Sequence, residues 1–416
     1  MAKGRIRVLR IVLVAAIAIS VLAGSLYYAT GLANNSPATK STTNTASSSA
    51  TQLSDNTSFS FSTKLYTSIT AVSSTINPTT ISTSESTSYS PSFSTTLNLT
   101  YTTTYNFSDT TTAFTGVHTH RIAGNFSVGY NPYLFCYDPE NKLIYLTEMG
   151  GNVVTVINST NNVLLSNIPV GQSPTGITYD PANNEIYVAN SGSNFVSVIN
   201  TSSNLVISNV TVAGGFPTWV LYNPYNKELY VADYYGPGAI TIINGSTNTA
   251  ITSLGLAGGP LEIAYDPNNQ YMYVTLHGGN SIAVISSRDN SIVDNIGVGC
   301  APHGIVYDLA NGNIYETNQC DGTVSVIKGS DNSVIATVSV GTTPYGIGYD
   351  PATKEIFTSS TYGDNSTYII NGTTNTVDDV IPSGAIPDGF LYNPSDSCMY
   401  VDDALTDYVQ IICPAS

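Results

Sequence analysis

Over most of the chain, apolar and polar residues alternate in short runs of five to seven, separated by polar turns. The stretch 174–214, PTGITYDPANNEIYVANSGSNFVSVINTSSNLVISNVTVAG, shows the plan. A first strand (TGITY) stops at Asp-Pro, where proline holds φ and aspartate bonds the nearby backbone. A second strand (EIYVAN) and a third (FVSVIN) alternate apolar and polar positions, the period of a sheet. A polar turn (TSSN) then leads to a fourth strand that closes on glycine.

The unit repeats. Tyr137, Tyr179, Tyr222, Tyr265, Tyr307, Tyr349 and Tyr392 open the same Tyr-Asp/Asn-Pro/Leu element, at spacings of 42, 43, 43, 42, 42 and 43 residues. Residues 116–416 therefore hold seven copies, and four antiparallel strands per copy predict an all-β, seven-bladed β-propeller. The last copy stops at its third strand, Tyr408–Cys413. The missing piece stands in front, since IAGNFSVG (122–129) aligns with VIATVSVG (334–341). The N-terminal strand is expected to complete blade seven and remove the sheet edge at the seam.

Residues 1–115 have other patterns. Lys3, Arg5, Arg7 and Arg10 make a basic head before eighteen apolar residues, Ile11 to Tyr28. As a helix that run would rise about 27 Å, close to the thickness of a bilayer core. Its length favours a retained anchor over a cleaved signal peptide, although small residues at Val21 and Ala23, or Gly31 and Ala33, offer cleavage points. Either way 1–33 is a membrane signal, and the chain beyond it is expected to be extracytoplasmic, single-pass anchored or secreted. Residues 34–115 read as a stalk or linker. Between Ser36 and Thr115, 44 of 80 residues are Ser or Thr, a composition suited to O-glycosylation and equally to a plain linker.

Charge narrows the partners. The chain carries 12 Lys+Arg against 28 Asp+Glu, and from residue 116 onward 6 basic residues face 25 acidic ones. Such a surface repels phosphate backbones, which argues against nucleic acid. The acidic balance suits an acidic habitat, where carboxylates lose charge.

The segments IYVANSGSNFVSVINTSSN (186–204), LYVADYYGPGAITIINGSTNT (229–249) and MYVTLHGGNSIAVISS (272–287) resemble the YVTN family of β-propeller repeat proteins, which includes archaeal surface-layer proteins. The resemblance covers about 116–416. It implies a secreted seven-bladed propeller with a binding or structural role. Blades five and six depart from it, with Ile314-Tyr315-Glu316-Thr317 and Ile356-Phe357-Thr358-Ser359 in place of the signature.

Candidate chemistry gathers where the fourth strand of one blade passes to the first of the next. The residue after Pro in the repeated Pro-x-Gly-Ile element reads Tyr133, Thr175, Thr218, Leu261, His303, Tyr345 and Asp388, and the glycine after it is replaced by Leu134, Trp219 and Glu262. With His277, which sits in a loop on the same funnel face, the candidate ligand-binding residues are Tyr133, Trp219, Glu262, His277, His303, Tyr345 and Asp388. These positions could equally serve only to fill the channel mouth. No catalytic signature accompanies them: Gly-x-Ser-x-Gly, a Walker loop and Cys-x-x-Cys are all absent. Nor does any fixed spacing of His, Cys or carboxylates mark a metal or cofactor site. The Asp of Tyr-Asp-Pro reads as a turn former.

Two function classes stay open. One is a non-catalytic surface module binding glycans or envelope proteins; the other is a propeller lyase or lactonase acting on a small molecule at the funnel face. Sequons at Asn158, Asn200, Asn244 and Asn371 recur after the third strand, and Asn98 and Asn106 lie in the stalk. Oxidation outside the cytosol is expected to join Cys398 to Cys413 across the last hairpin and Cys300 to Cys320 on the funnel face, leaving Cys136 as a buried thiol.

Overall fold

Residues 118–361, 365–384 and 386–415 are described in this computed structural model of the protein. The expected membrane helix (1–33), the stalk (34–115) and the sequons at Asn98 and Asn106 lie outside the described residues. Among the described residues no helix is long and apolar enough to cross a membrane.

The strands run from β1 (His120–Ser127) to β28 (Tyr408–Pro414) and form seven four-stranded antiparallel sheets. Blade one holds β2 (Pro132–Asp138), β3 (Leu143–Glu148), β4 (Val153–Asn158) and β5 (Leu164–Pro169). Blades two to six repeat this order over 174–211, 215–255, 260–297, 302–339 and 344–382. Blade seven takes β26 (Phe390–Asn393), β27 (Cys398–Asp403) and β28 from the C-terminus, and β1 from the other end of the repeats. Ser127 pairs with Tyr408 and His120 with Pro414, so the ring closes as the blade phase requires.

In one respect the strands differ from expectation. Ile186, Tyr187, Val188 and Ala189, consecutive in one second strand, are all fully buried. Each inner sheet lies between two neighbouring blades, so both of its faces are covered and alternation disappears. It survives on the outer strands, where Leu205 and Ile207 stay exposed and Val210 is buried.

Two hydrogen bonds repeat from unit to unit, one local and one between blades. Every Tyr-Asp/Asn element is a turn, its side-chain oxygen taking the amide two residues on, as in Asp180 Oδ1 from Ala182 N at 2.8 Å and Asn393 Oδ1 from Ser395 N at 3.0 Å. The buried tyrosine of each second strand bonds the next blade. Tyr145 donates to Asn204 Oδ1 at 2.9 Å, Tyr273 to Asn332 at 2.7 Å and Tyr315 to Asn375 at 2.7 Å; Tyr187 and Tyr230 reach Asn248 and Asn290 in the same way. These asparagines occupy left-handed turn positions, with φ between 52° and 60°, which Asn tolerates better than most residues.

Blade six departs from this scheme for a reason. Its second strand carries Phe357, and the turn a hydroxyl would seek in blade seven is missing, because there the third and fourth strands belong to opposite ends of the repeats. The seam is held differently. Buried Asp379 of blade six accepts from the backbone N–H of Thr119 at 2.7 Å and of His120 at 2.9 Å, and its other oxygen meets His118 Nδ1 at 2.7 Å. The His120 ring packs edge-on against Phe357, with centroids 5.3 Å apart, and its Nε2 lies 3.2 Å from Glu355.

Cys398 and Cys413 are joined, with Cα atoms 4.5 Å apart. The second expected bridge is not formed: Cys300 and Cys320 are thiols. They nonetheless face each other, since Cys320 N donates to Cys300 O at 3.2 Å. Partial burial, with the neighbouring Cys320 thiol, pushes the Cys300 thiol up to about 12. Cys136 is a buried thiol.

Candidate functional site

In blades one, four, five and six a hydroxyl on the second strand helps to place the rim residues. In blade four, Thr275 Oγ1 accepts from Glu262 N at 3.0 Å and donates to the carbonyl of His303, in the next blade, at 2.9 Å. Thr317 does the same between Gly304 N at 2.8 Å and Tyr345 O at 2.9 Å. The inner strands of blades one to six bulge at this point, as between Pro302 and Ile305, and the hydroxyl satisfies a backbone group the bulge leaves unpaired. The glycines of the element have a steric cause. A Cβ on Gly346 would collide with the carbonyl of Asp388, and one on Gly389 with that of Tyr133. The inner strands thus touch backbone to backbone around the channel.

Most of the candidate residues come together in this narrow mouth. His303 Nδ1 lies 3.4 Å from Glu262 Oε1, and the His303 ring packs on Tyr345 with centroids 3.7 Å apart. Tyr133 lies close enough to Tyr345, Asp388 and Glu262 for their charges to raise its hydroxyl's pKa further, beyond the larger effect of burial. His277 stands behind, its ring centroid 6.1 Å from that of His303. Trp219 has another role: it packs against two apolar clusters, one from blades one and two and one from blades three and four, and leaves its indole N–H buried without a partner.

Burial disfavours charge in the mouth. It pushes the Glu262 carboxyl up to about 8, outweighing the hydrogen bond from Ile305 N, and pushes His303 down to about 3. Their 3.4 Å contact therefore joins a neutral acid to a neutral imidazole near neutral pH and is no ion pair. Asp388 is raised well above the usual carboxylate range by burial and then by Glu262. Asp402, raised by burial and by Asp388, accepts from the backbone N–H groups of both Asp388 and Gly389, at 3.0 and 2.5 Å. Among the described residues no three His, Cys, Asp or Glu side chains are grouped to hold a metal ion.

Other residues of the mouth carry a weaker sequence signal. Asp402 occupies a position that is Thr, Ala or Ser in the other blades, and Glu316, fully buried, occupies one that is apolar or Thr elsewhere. Both departures are visible in the aligned repeats. Phe216, Tyr234 and Tyr235 form an aromatic group beside the mouth. Their signal is the segment YYGPG in blade three.

The sequons Asn158, Asn200, Asn244 and Asn371 each end a third strand, opposite the funnel. Their side-chain oxygens take turn amides, from Thr160, Ser203, Ser246 and Thr373 respectively. That structural role is reason enough for the asparagines to recur. A cleft of about 480 Å³ on the same far face, lined by Asp266, Asn269, Asn311 and Lys328, lies away from the channel chemistry.

Fold and site together define a seven-bladed β-propeller with a proton-rich, aromatic channel mouth. Among solved structures it is similar to Kuenenia stuttgartiensis hydrazine synthase, with a TM-score of 0.63 and 18% identity over 68% of this chain and 96% of that one. At that identity the likeness concerns the fold alone. No family model matches the sequence, and no curated protein matches it in sequence.

Proposed function

We propose that the protein is an extracytoplasmic, YVTN-type surface propeller that binds glycans or envelope proteins at its funnel face without transforming them. The observation that carries this is the mouth itself, where Tyr133, His303, Tyr345, Glu262 and Asp388 from separate blades converge. Glu262 keeps its proton and His303 stays neutral near neutral pH, which suits hydrogen bonding to an uncharged ligand. The membrane signal supports a location outside the cell, and the third-strand sequons leave this face open to a partner. Binding of a panel of glycans and envelope proteins by the purified chain tests the reading. Tyr133→Ala and Tyr345→Ala should each weaken binding at least about tenfold, the loss of one good contact; binding indifferent to both removes it.

One observation favours the enzyme reading. Glu262, raised to about 8 and 3.4 Å from His303, has the protonation behaviour of a general acid near neutrality. Convergence of side chains from separate blades on the mouth still makes binding the better-supported role. Turnover of a lactone or uronide by the protein, lost in Glu262→Gln, would reverse that order.

A further inference from the structure

Blade three is built unlike the others. Its first two strands, β10 (Gly215–Asn223) and β11 (Glu228–Tyr235), have nine and eight residues, against seven and six in blade two. Pairing continues to Gly215 opposite Tyr235, so this hairpin stands above the funnel face. Beyond β11 the chain turns through Gly236 and Gly238, at φ 79° and 75°, into the third strand, Ala239–Asn244.

The hairpin carries three rings. The Phe216 centroid is 4.6 Å from that of Tyr235 and 6.4 Å from that of Tyr234; Tyr234 and Tyr235 are 5.5 Å apart. Tyr235 is 41% exposed and Phe216 is partly open. Phe216 adopts φ 60°, the left-handed conformation that Asn131, Ser173, Ala301 and Thr343 also take before the corresponding proline of their blades, and one that is costly for a bulky residue. Its backbone N–H is held by Asn194 Oδ1 at 2.9 Å, a contact from the preceding blade. The backbone turn is common to the blades, but an aromatic ring placed on it and open to solvent does nothing for the core.

The rings lead inward to a polar group that lacks partners. Tyr234 lies 6.3 Å from the ring of His277, which is only 7% exposed and has neither ring nitrogen hydrogen-bonded. An imidazole buried in that state is costly unless something supplies a donor or acceptor. No Lys or Arg occurs in 212–218, 233–239 or the adjoining loops 190–194 and 277–280, so nothing here would hold a carboxylate, sulfate or phosphate.

Such a surface calls for a ligand with apolar faces and uncharged hydroxyls. We infer that Phe216 and Tyr235 form a stacking platform for a pyranose ring of a neutral saccharide, whose hydroxyls reach His277. The inference rests on the funnel face being the binding face, and names the ligand class there.

Isothermal titration of the purified full chain tests it. The probes are neutral mannose-, glucose- and galactose-based oligosaccharides, their uronic-acid and sulfated counterparts, and a proline-rich peptide. At least one neutral series should bind saturably, with affinity falling about tenfold or more in Phe216→Gly and in Tyr235→Ala. Phe216→Gly relieves the left-handed strain, so its melting temperature should not fall and lost binding cannot be ascribed to unfolding. His277→Phe, which keeps a ring but removes both nitrogens, should also weaken binding. The inference is overturned if no neutral series binds, if charged or peptide probes bind more tightly, or if the aromatic substitutions have no effect. Envelope-protein binding that persists without saccharide binding would remove the saccharide and leave the binding module standing.

Discussion

The hydroxyl of Tyr400, on the last blade, donates a 2.7 Å hydrogen bond to Oδ1 of Asn162, on the first. The two residues are 238 positions apart, yet the contact repeats one made between neighbouring copies elsewhere in the ring. Removing the hydroxyl with Tyr400→Phe should destabilise the protein by about 1 kcal/mol, the net worth of a typical hydrogen bond. The reverse change in blade six, Phe357→Tyr, places a hydroxyl where no turn awaits it. It should destabilise by about 1–3 kcal/mol, the desolvation cost of an unmet polar group. Chemical denaturation of both variants checks the pair; a stabilised Phe357→Tyr would contradict this origin of the seam.

Ring closure also depends on Asp379, whose two oxygens hold His118, Thr119 and His120 at the start of β1. Asp379→Ala should lower the melting temperature, since it strands two backbone N–H groups. Deleting 118–129 should go further by exposing the edge of β28 to other chains, with aggregation measurable by light scattering. A deletion variant that melts like the parent would show that β1 is dispensable.

The Cys398–Cys413 bond encloses a separation of 15 residues, for which chain entropy predicts about 3 kcal/mol of stabilisation. Replacing both cysteines with serine should lower stability by up to that amount. Non-reducing peptide mapping of the native protein should recover the 398–413 cross-link. Free thiols at both positions would refute it.

Stability should rise as the medium is acidified from about pH 8. Glu262 has a folded-state pKa of about 8 against an ordinary 4.5, so across that interval the folded protein binds the proton that the unfolded chain has released. Stability therefore falls as pH climbs through this window and levels off above it. Asp388 and Asp402, also raised, act in the same direction. His277 and His303, lowered to about 4 and 3, oppose them only below their ordinary 6.5, where the unfolded chain gains the protons. Melting temperature should thus increase between about pH 8 and 6.5, and Glu262→Gln should flatten that slope. An unchanged slope in the variant would show that Glu262 is not the titrating group.

The repeat period by itself determined the blade number, the strand order within each blade and the shared last blade. These come from local patterning: Asp-Pro turns end strands wherever they occur, and 42 or 43 residues make four strands whatever lies beside them. The Cys398–Cys413 pairing was legible for the same reason, because a short hairpin sets which residues face each other. Aligned copies also exposed the variable rim, and so singled out Tyr133, Glu262, His303, Tyr345 and Asp388. Tertiary structure alone decided what those positions do. Whether Glu262 keeps its proton depends on burial among strands from other blades, and no spacing encodes that. Phe357 looks like drift in the sequence; the chain break in blade seven shows that a hydroxyl there would have no turn asparagine to bond. Phe216 and Tyr235 stand nineteen positions apart in the chain, and only the extended pairing of β10 with β11 brings their rings together. Local pattern sets the blade; contacts between blades set the chemistry of the mouth.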